Sequence, residues 1–142
     1  AVPLAPEKGQ LLVTERVAPF LSFPMSGIRQ TGNGSVMIGY TNEDTGFEVT
    51  TTVSGAARLS RRALQVFPGL GNIRVVRSWG GLRVLTGDGA PIYDKIDQNA
   101  YLLATHSAVT LAAVHTSLLP DWILGGPKPD EIQHFKLERF HV

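Results

Sequence analysis

Residues 28–40 read IRQTGNGSVMIGY, and this stretch indicates a β-hairpin. Its two arms, IRQT and SVMIGY, flank residues 32–34 (GNG), whose residue types tolerate the positive φ angles of tight turns. Upstream, residues 10–15 (QLLVTE) predict another strand. Downstream, residues 47–53 (FEVTTTV) are rich in the β-branched side chains that favour strands. The first part of the chain is therefore expected to form a sheet.

An amphipathic helix is expected directly after these strands. Ser54 is a plausible N-cap, and Pro68 followed by Gly69 would end the helix. The apolar side chains recur with helical spacing and share one face. They are Ala56, Leu59, Ala63 and Phe67.

The second half of the chain returns to strand patterns and then to a helical one. Residues 107–124 are apolar nearly all round, which predicts a helix buried on most sides. The order of strands, helix, strands, helix predicts an α+β fold with a mostly antiparallel sheet flanked by helices. The further strand segments are 72–78, 80–85, 92–93 and 101–104, with a turn over 87–91.

Composition narrows the class of protein. The 142 residues suit one domain or a large piece of one, and 43% apolar with 18% charged residues is a globular mixture. A net charge of +1 gives no reason to expect nucleic acid or an anionic membrane as a partner. There is no cysteine and no apolar run long enough to span a bilayer, so we expect a cytoplasmic protein.

Arg83 is the first candidate site residue. It interrupts the apolar segment 81–85 (GLRVL), so an inward-pointing side chain would need a partner. A guanidinium suits bidentate pairing with a carboxylate, including that of a substrate. A solvent-facing strand residue and a structural salt bridge are the alternatives.

The second candidate is residues 104–108 (ATHSA), where a strand pattern leads into the expected helix. The N–H groups of a first helical turn attract anions and electron-rich carbonyls. Ser107 could instead be a simple helix cap. The four histidines lack the spacing of a metal site, so no metal is predicted. The glycine pairs lack the strand-to-helix context of a nucleotide site, so they are read as turns.

These segments together resemble the C-terminal region of the D-amino-acid-oxidase-like FAD oxidoreductases, and among them the branch that contains opine oxidase and hydrogen cyanide synthase. The resemblance spans nearly the whole chain. It is carried by GQLLVTE (9–15), IRQT (28–31), VMIG (36–39), RSWGGLR (77–83), TGDGAP (86–91), THSAVTL (105–111) and ERF (138–140).

The resemblance implies the substrate domain of a glutathione-reductase-like FAD fold, partly covered by residues 1–103. Residues 104–142 would return to the FAD domain, whose Rossmann half is absent, so only part of an FAD site is expected. Arg83 would bind the substrate carboxylate, with Arg29 as the next candidate. The flavin-facing residues would be His106, Ser107, Ala108, Val109 and Thr110.

Two departures from the family pattern stand out. Ala108 takes the place of a glycine that many relatives have, and Gly27 lies where some members carry a substrate-binding tyrosine.

The expected function is therefore that of a fragment of an FAD-dependent oxidoreductase, which oxidises the C–N bond of an amino acid or secondary amine by hydride transfer to flavin. The chain alone is expected to be inactive and to associate with a companion polypeptide or with itself. No residue is assigned to the chemical step. The alternative is a non-catalytic binding or assembly module that retains the substrate-domain fold.

Overall fold

The computed structural model describes residues 1–141, which divide into two compact units. One unit is Pro6–Arg83, and the other combines Ala1–Ala5 with the chain from Val84 onward. The division into compact units falls between Arg83 and Val84. The predicted division into a substrate part (residues 1–103) and a part that returns to the FAD domain (from residue 104) stays a prediction.

The first unit is built on a four-stranded sheet with the strand order β2-β3-β1-β4. Strand β3 pairs antiparallel with both β1 and β2, and Ile38 lies opposite Leu12 on one side and Ile28 on the other. The hairpin predicted around residues 32–34 is confirmed. The strands are β1 (Leu4–Arg16), β2 (Ile28–Gln30), β3 (Ser35–Gly39) and β4 (Val75–Thr86).

Helix α1 (Val53–Val66) packs on one face of this sheet. The predicted apolar face is confirmed, because Leu59 and Ala63 are buried and Ala56 and Phe67 pack against the same core. A short 3-10 helix (Pro68–Asn72) follows and adds Leu70. The sheet contributes Leu12, Ile28, Val36 and Ile38 to this core.

Two local predictions for this unit are wrong. Residues 47–52 form no strand, because Glu48 satisfies this backbone locally: its carboxylate accepts the Thr50 N–H (2.7 Å) and its carbonyl accepts the Thr45 hydroxyl (3.0 Å). The N-cap of α1 is Thr52, not Ser54. The Thr52 hydroxyl accepts the Gly55 N–H at 3.1 Å, and its backbone is extended, as an N-cap requires.

The second unit packs a β-hairpin against a helix. Strands β5 (Ile92–Asp97) and β6 (Ala100–Ala104) pair antiparallel, and α2 (Ala112–Ile123) follows them. Two short 3-10 helices end the described chain, Asp130–Ile132 and Leu137–Phe140. The core of this unit consists of Tyr93, Leu119, Trp122 and Ile132.

The helix predicted over residues 107–124 is shorter and less buried than expected. It begins at Ala112, and only Leu119 and Trp122 of α2 are buried, because one face alone meets the core of its unit. Val109 and Leu124 are 93% and 85% exposed.

None of the helices within residues 1–141 has the length and apolarity to cross a bilayer.

Candidate functional site

Arg83 lies at the end of the first unit and is held by three neighbours. Its Nη2 donates to the Glu7 carboxylate and to the Thr41 carbonyl oxygen, the latter at 3.0 Å. Its guanidinium carbon lies over the Tyr40 ring, 4.6 Å from the centroid. The side chain is 27% exposed, and its Nε is buried without an acceptor among residues 1–141. The salt bridge considered from the sequence is therefore present, yet part of the donor capacity of Arg83 is unused.

Glu7 is itself held in place. Its Oε1 accepts from Arg83 and also from the Asn42 side-chain amide at 2.7 Å. The Glu7 side chain is 23% exposed and that of Arg83 27%, so the ion pair is partly open to solvent. Gly9 lies directly beside this arrangement: a Cβ there would be in van der Waals contact with the Arg83 Cζ at 3.6 Å and with the Thr41 carbonyl oxygen at 3.4 Å.

Tyr40 contacts Arg83 and also shares a pocket with Arg29, the second predicted arginine. It directly follows β3, is 55% exposed, and lines a surface pocket of about 180 Å³ together with Arg29. The guanidinium of Arg29 contacts the Met37 sulfur at 3.4 Å and forms no ion pair within residues 1–141. A cation with no carboxylate partner, beside a half-exposed aromatic ring, is available to an anionic ligand.

Two glycines of the pocket are closely approached, one by a side chain and one by a backbone carbonyl. A Cβ at Gly39 would lie 1.9 Å from the Leu11 Cδ2, and a Cβ at Gly27 would lie 2.3 Å from the Gly39 carbonyl oxygen. Gly27 also has a φ of +81°, which disfavours any other residue. Gly27 lines the pocket, so the position where some relatives carry tyrosine faces the same space as Tyr40.

The second unit contains a cavity of about 440 Å³, within the usual range of about 300–1,000 Å³ for small-molecule sites. Three of the five predicted flavin-facing residues, His106, Ser107 and Thr110, line this cavity, whereas Ala108 and Val109 do not. The other walls are mostly apolar. They include Pro91, Tyr93, Leu111, Val114, Leu118, Ile132 and Phe135.

The backbone beside this cavity is a turn and not the first turn of a helix. The Thr105 hydroxyl accepts the Ser107 N–H at 3.2 Å, and this local bond competes with a helical start. The Leu111 N–H then bonds to the Ser107 carbonyl at 2.9 Å, and α2 begins one residue later. Ser107 is therefore not a helix N-cap, and the predicted N-terminal N–H site at Ser107 is corrected to a turn.

A buried tyrosine forms one wall of the cavity. The Tyr93 hydroxyl lies 2.8 Å from the His115 Nε2, and Tyr93 is 2% exposed. Burial raises the pKa of the Tyr93 phenol above its ordinary value. The phenol therefore stays neutral and serves as a hydrogen-bonding group.

The fit of this cavity to the FAD implied by the family pattern is partial. Its apolar walls and few polar groups suit a flat ring system. Pyrophosphate binding, in contrast, normally uses a glycine-rich turn between a strand and a helix. Within residues 1–141, Gly69 and Gly71 lie in a 3-10 helix that follows α1, and Gly87 and Gly89 lie between two strands. The residues present therefore fit the ring and not the pyrophosphate.

Some residues of the site carry no local sequence signal that could have marked them. Glu7 and Asn42 belong to this group, because their partners lie 76 and 35 positions away in the chain. Tyr40 is the last residue of the predicted hairpin, but its contact with the guanidinium depends on where the fold places Arg83. Within residues 1–141, no group of three or more histidine, aspartate or glutamate side chains is arranged to hold a metal ion.

Comparison with known proteins gives one consistent result. The profile of the DAO family, described as FAD dependent oxidoreductase, matches residues 1–120. The chain is 43% identical to a subunit of opine oxidase from Agrobacterium tumefaciens (strain Ach5) over 142 residues, which is 99% of this chain and 38% of that protein. It is 33% identical to the hydrogen cyanide synthase protein HcnC of Pseudomonas protegens, covering 98% of this chain and 35% of that protein.

Solved structures with the same fold include L-proline dehydrogenase from P. horikoshii. The TM-score is 0.87 at 22% identity, covering 99% of this chain and 41% of that one. Glycine oxidase from Geobacillus kaustophilus gives 0.84 at 23% identity, with 98% and 40% coverage. The chain thus spans about two-fifths of the length of these proteins.

Proposed function

This chain belongs to the DAO family of FAD-dependent oxidoreductases, and from that premise we propose that it supplies the substrate-binding side of an enzyme that oxidises the C–N bond of an amino acid or secondary amine. The substrate carbon would lose a hydride to the flavin, and water would hydrolyse the resulting imine. The names of the relatives support an amine substrate, because they include opine oxidase and glycine oxidase.

The observation that carries this proposal is the state of Arg83. Its guanidinium is fixed by Tyr40 and Thr41, and its buried Nε–H has no acceptor among residues 1–141. A buried donor without a partner costs free energy, so a carboxylate that used it would be stabilised. Arg83 is thus proposed to hold the substrate carboxylate, and Arg29 would hold it if Arg83 does not.

The second unit is proposed to face the cofactor. His106, Ser107 and Thr110 would contact the edge of the flavin ring, with the apolar cavity walls excluding water. The part that returns to the FAD domain is proposed to begin at residue 104, within the compact unit that begins at Val84. The dinucleotide part of the site would come from elsewhere in the complete enzyme.

A companion polypeptide is part of this proposal. Two of the relatives are named as subunits, one of opine oxidase and one of hydrogen cyanide synthase. The exposed apolar side chains of the second unit, such as Val109 and Leu124, would be covered in such an assembly.

Anaerobic flavin reduction tests the proposal. The full-length protein that carries this chain, purified with any companion that accompanies it, would be mixed with glycine, sarcosine, proline and an opine. We expect at least one of them to bleach the flavin absorbance and to release a carbonyl product, whereas methylamine and dimethylamine, which lack a carboxylate, should be poor. A protein that none of these amines reduces would contradict the proposed function.

A further inference from the structure

The ion pair between Glu7 and Arg83 uses the one guanidinium nitrogen that bidentate pairing requires. A carboxylate pairs bidentately either with Nε and Nη2 or with the two terminal nitrogens Nη1 and Nη2. Both edges include Nη2. In this structure the two Nη2 protons are directed to Glu7 and to the Thr41 carbonyl oxygen. Each edge uses a different one of these protons, and the Thr41 carbonyl oxygen, as a backbone group, blocks one edge. The other edge is the one that Glu7 occupies, so a substrate carboxylate that binds there in a bidentate manner has to displace Glu7.

The remaining contacts indicate that Glu7 is a replaceable partner. Among residues 1–141 only one oxygen of Glu7 accepts hydrogen bonds, and Asn42 shares that oxygen with Arg83 at 2.7 Å. Arg83, by contrast, has two further partners besides Glu7, the Tyr40 ring and the Thr41 carbonyl. Both members of the pair are about a quarter exposed, so an incoming ligand reaches them without unfolding the unit.

We propose that Glu7 is a latch: an internal carboxylate that occupies the place of the substrate carboxylate on Arg83 and weakens the binding of every carboxylate ligand. Asn42 positions the latch. Ligands without a carboxylate do not compete with Glu7, so the latch narrows the preference of the site for carboxylate ligands over them. This inference rests on the proposed function, because it assigns Arg83 to the substrate carboxylate.

The test uses methoxyacetate, which has the shape and carboxylate of sarcosine but no amine to oxidise. Its binding to the full-length protein would be measured by titration calorimetry, so no turnover is needed. Glu7→Gln should bind methoxyacetate about 3- to 30-fold more tightly, the range expected when one half-buried charged hydrogen bond no longer competes. Arg83→Gln should lose the binding.

Two further variants make the result specific. Asp44→Asn removes one negative charge from an exposed side chain of the same unit, and it should leave the affinity unchanged. Asn42→Ser removes the amide that holds Glu7, and it should give a smaller gain in the same direction. If Glu7→Gln proves too unstable to purify, Asn42→Ser decides the question.

Tighter binding in Glu7→Gln or Asn42→Ser, with no change in Asp44→Asn, supports the latch. Equal or weaker binding in those two variants overturns it, because Glu7 would then orient Arg83 or serve stability alone. Absence of Arg83-dependent binding in every protein also overturns it. The outcome is independent of flavin reduction: a protein that oxidises sarcosine while Glu7→Gln binds methoxyacetate no better retains the proposed function and loses the latch.

Discussion

The guanidinium carbon of Arg83 lies 4.6 Å from the centroid of the Tyr40 ring, so the aromatic face supports a cation that also pairs with Glu7. A cation over an aromatic face gains about 0.5–1 kcal/mol at exposed sites and more when water is excluded. The ring thus fixes the guanidinium while leaving its Nε–H free of a protein acceptor within residues 1–141. Substitutions at Arg83 and at Tyr40 should therefore have different effects, the first on activity and the second on stability.

Replacement of Arg83 should impair only substrates that carry a carboxylate. A hydrogen bond to a charged group is worth about 1.5–3 kcal/mol net, so Arg83→Ala should lower kcat/KM roughly 10- to 150-fold. Arg83→Lys should recover part of this loss, because lysine keeps the positive charge but lacks the planar guanidinium that pairs with both carboxylate oxygens. Steady-state kinetics with sarcosine and dimethylamine provide the measurement.

The control is Arg77→Ala, which removes an exposed arginine from the same strand. It should change kcat/KM for neither sarcosine nor dimethylamine. An equal loss on sarcosine and dimethylamine in Arg83→Ala would show that Arg83 is structural. Arg29 would then be the next residue to replace.

The ring of Tyr40, and not its hydroxyl, should stabilise the Arg83 side chain. Tyr40→Phe should therefore keep the free energy of unfolding, while Tyr40→Leu should lower it by about 0.5–1 kcal/mol. Urea denaturation of both variants, alone and combined with Arg83→Gln, which removes the cation, gives the coupling energy. Additive effects of Tyr40→Leu and Arg83→Gln would exclude a direct interaction between the two side chains.

Local chemistry made part of this fold predictable from the sequence. The hairpin around residues 32–34 and the apolar face of α1 follow from turn residues and helical spacing, and both are confirmed. The start of α2 was missed because a single side-chain bond from Thr105 redirects the backbone at Ser107. Pairing of Glu7 with Arg83 joins residues 76 positions apart, and no periodicity reports such a contact.

The N-cap of α1 can be tested by comparing two neighbouring hydroxyls. Thr52→Ala removes the acceptor of the Gly55 N–H and should cost about 1 kcal/mol of stability. Ser54→Ala removes a hydroxyl whose one hydrogen bond within the described residues goes to the Thr52 hydroxyl at 3.2 Å, and should stay within about 0.5 kcal/mol of wild type. Chemical denaturation measures both. A larger loss in Ser54→Ala would restore the cap expected from the sequence.

The ion pair between Asp88 and Arg139 should make the second unit more stable to acid. Arg139 donates to both oxygens of Asp88, from Nε at 2.8 Å and from Nη2 at 3.1 Å. These hydrogen bonds hold the pKa of Asp88 well below its ordinary value. A lowered pKa in the folded state stabilises the fold above the unfolded-state pKa of about 3.9, and this contribution disappears as the pH falls through the folded-state pKa.

Asp88→Asn should therefore lower Tm at pH 7, and its difference from wild type should begin to shrink only when the pH falls below about 4. Thermal melts between neutral and strongly acid pH provide the comparison. Asp121→Asn is the matched control, since this exposed aspartate of α2 accepts no hydrogen bond from another side chain within residues 1–141. A Tm difference for Asp88→Asn that stays constant down to the lowest pH would mean that the stabilisation comes from the turn over residues 87–91 and not from the charge of Asp88.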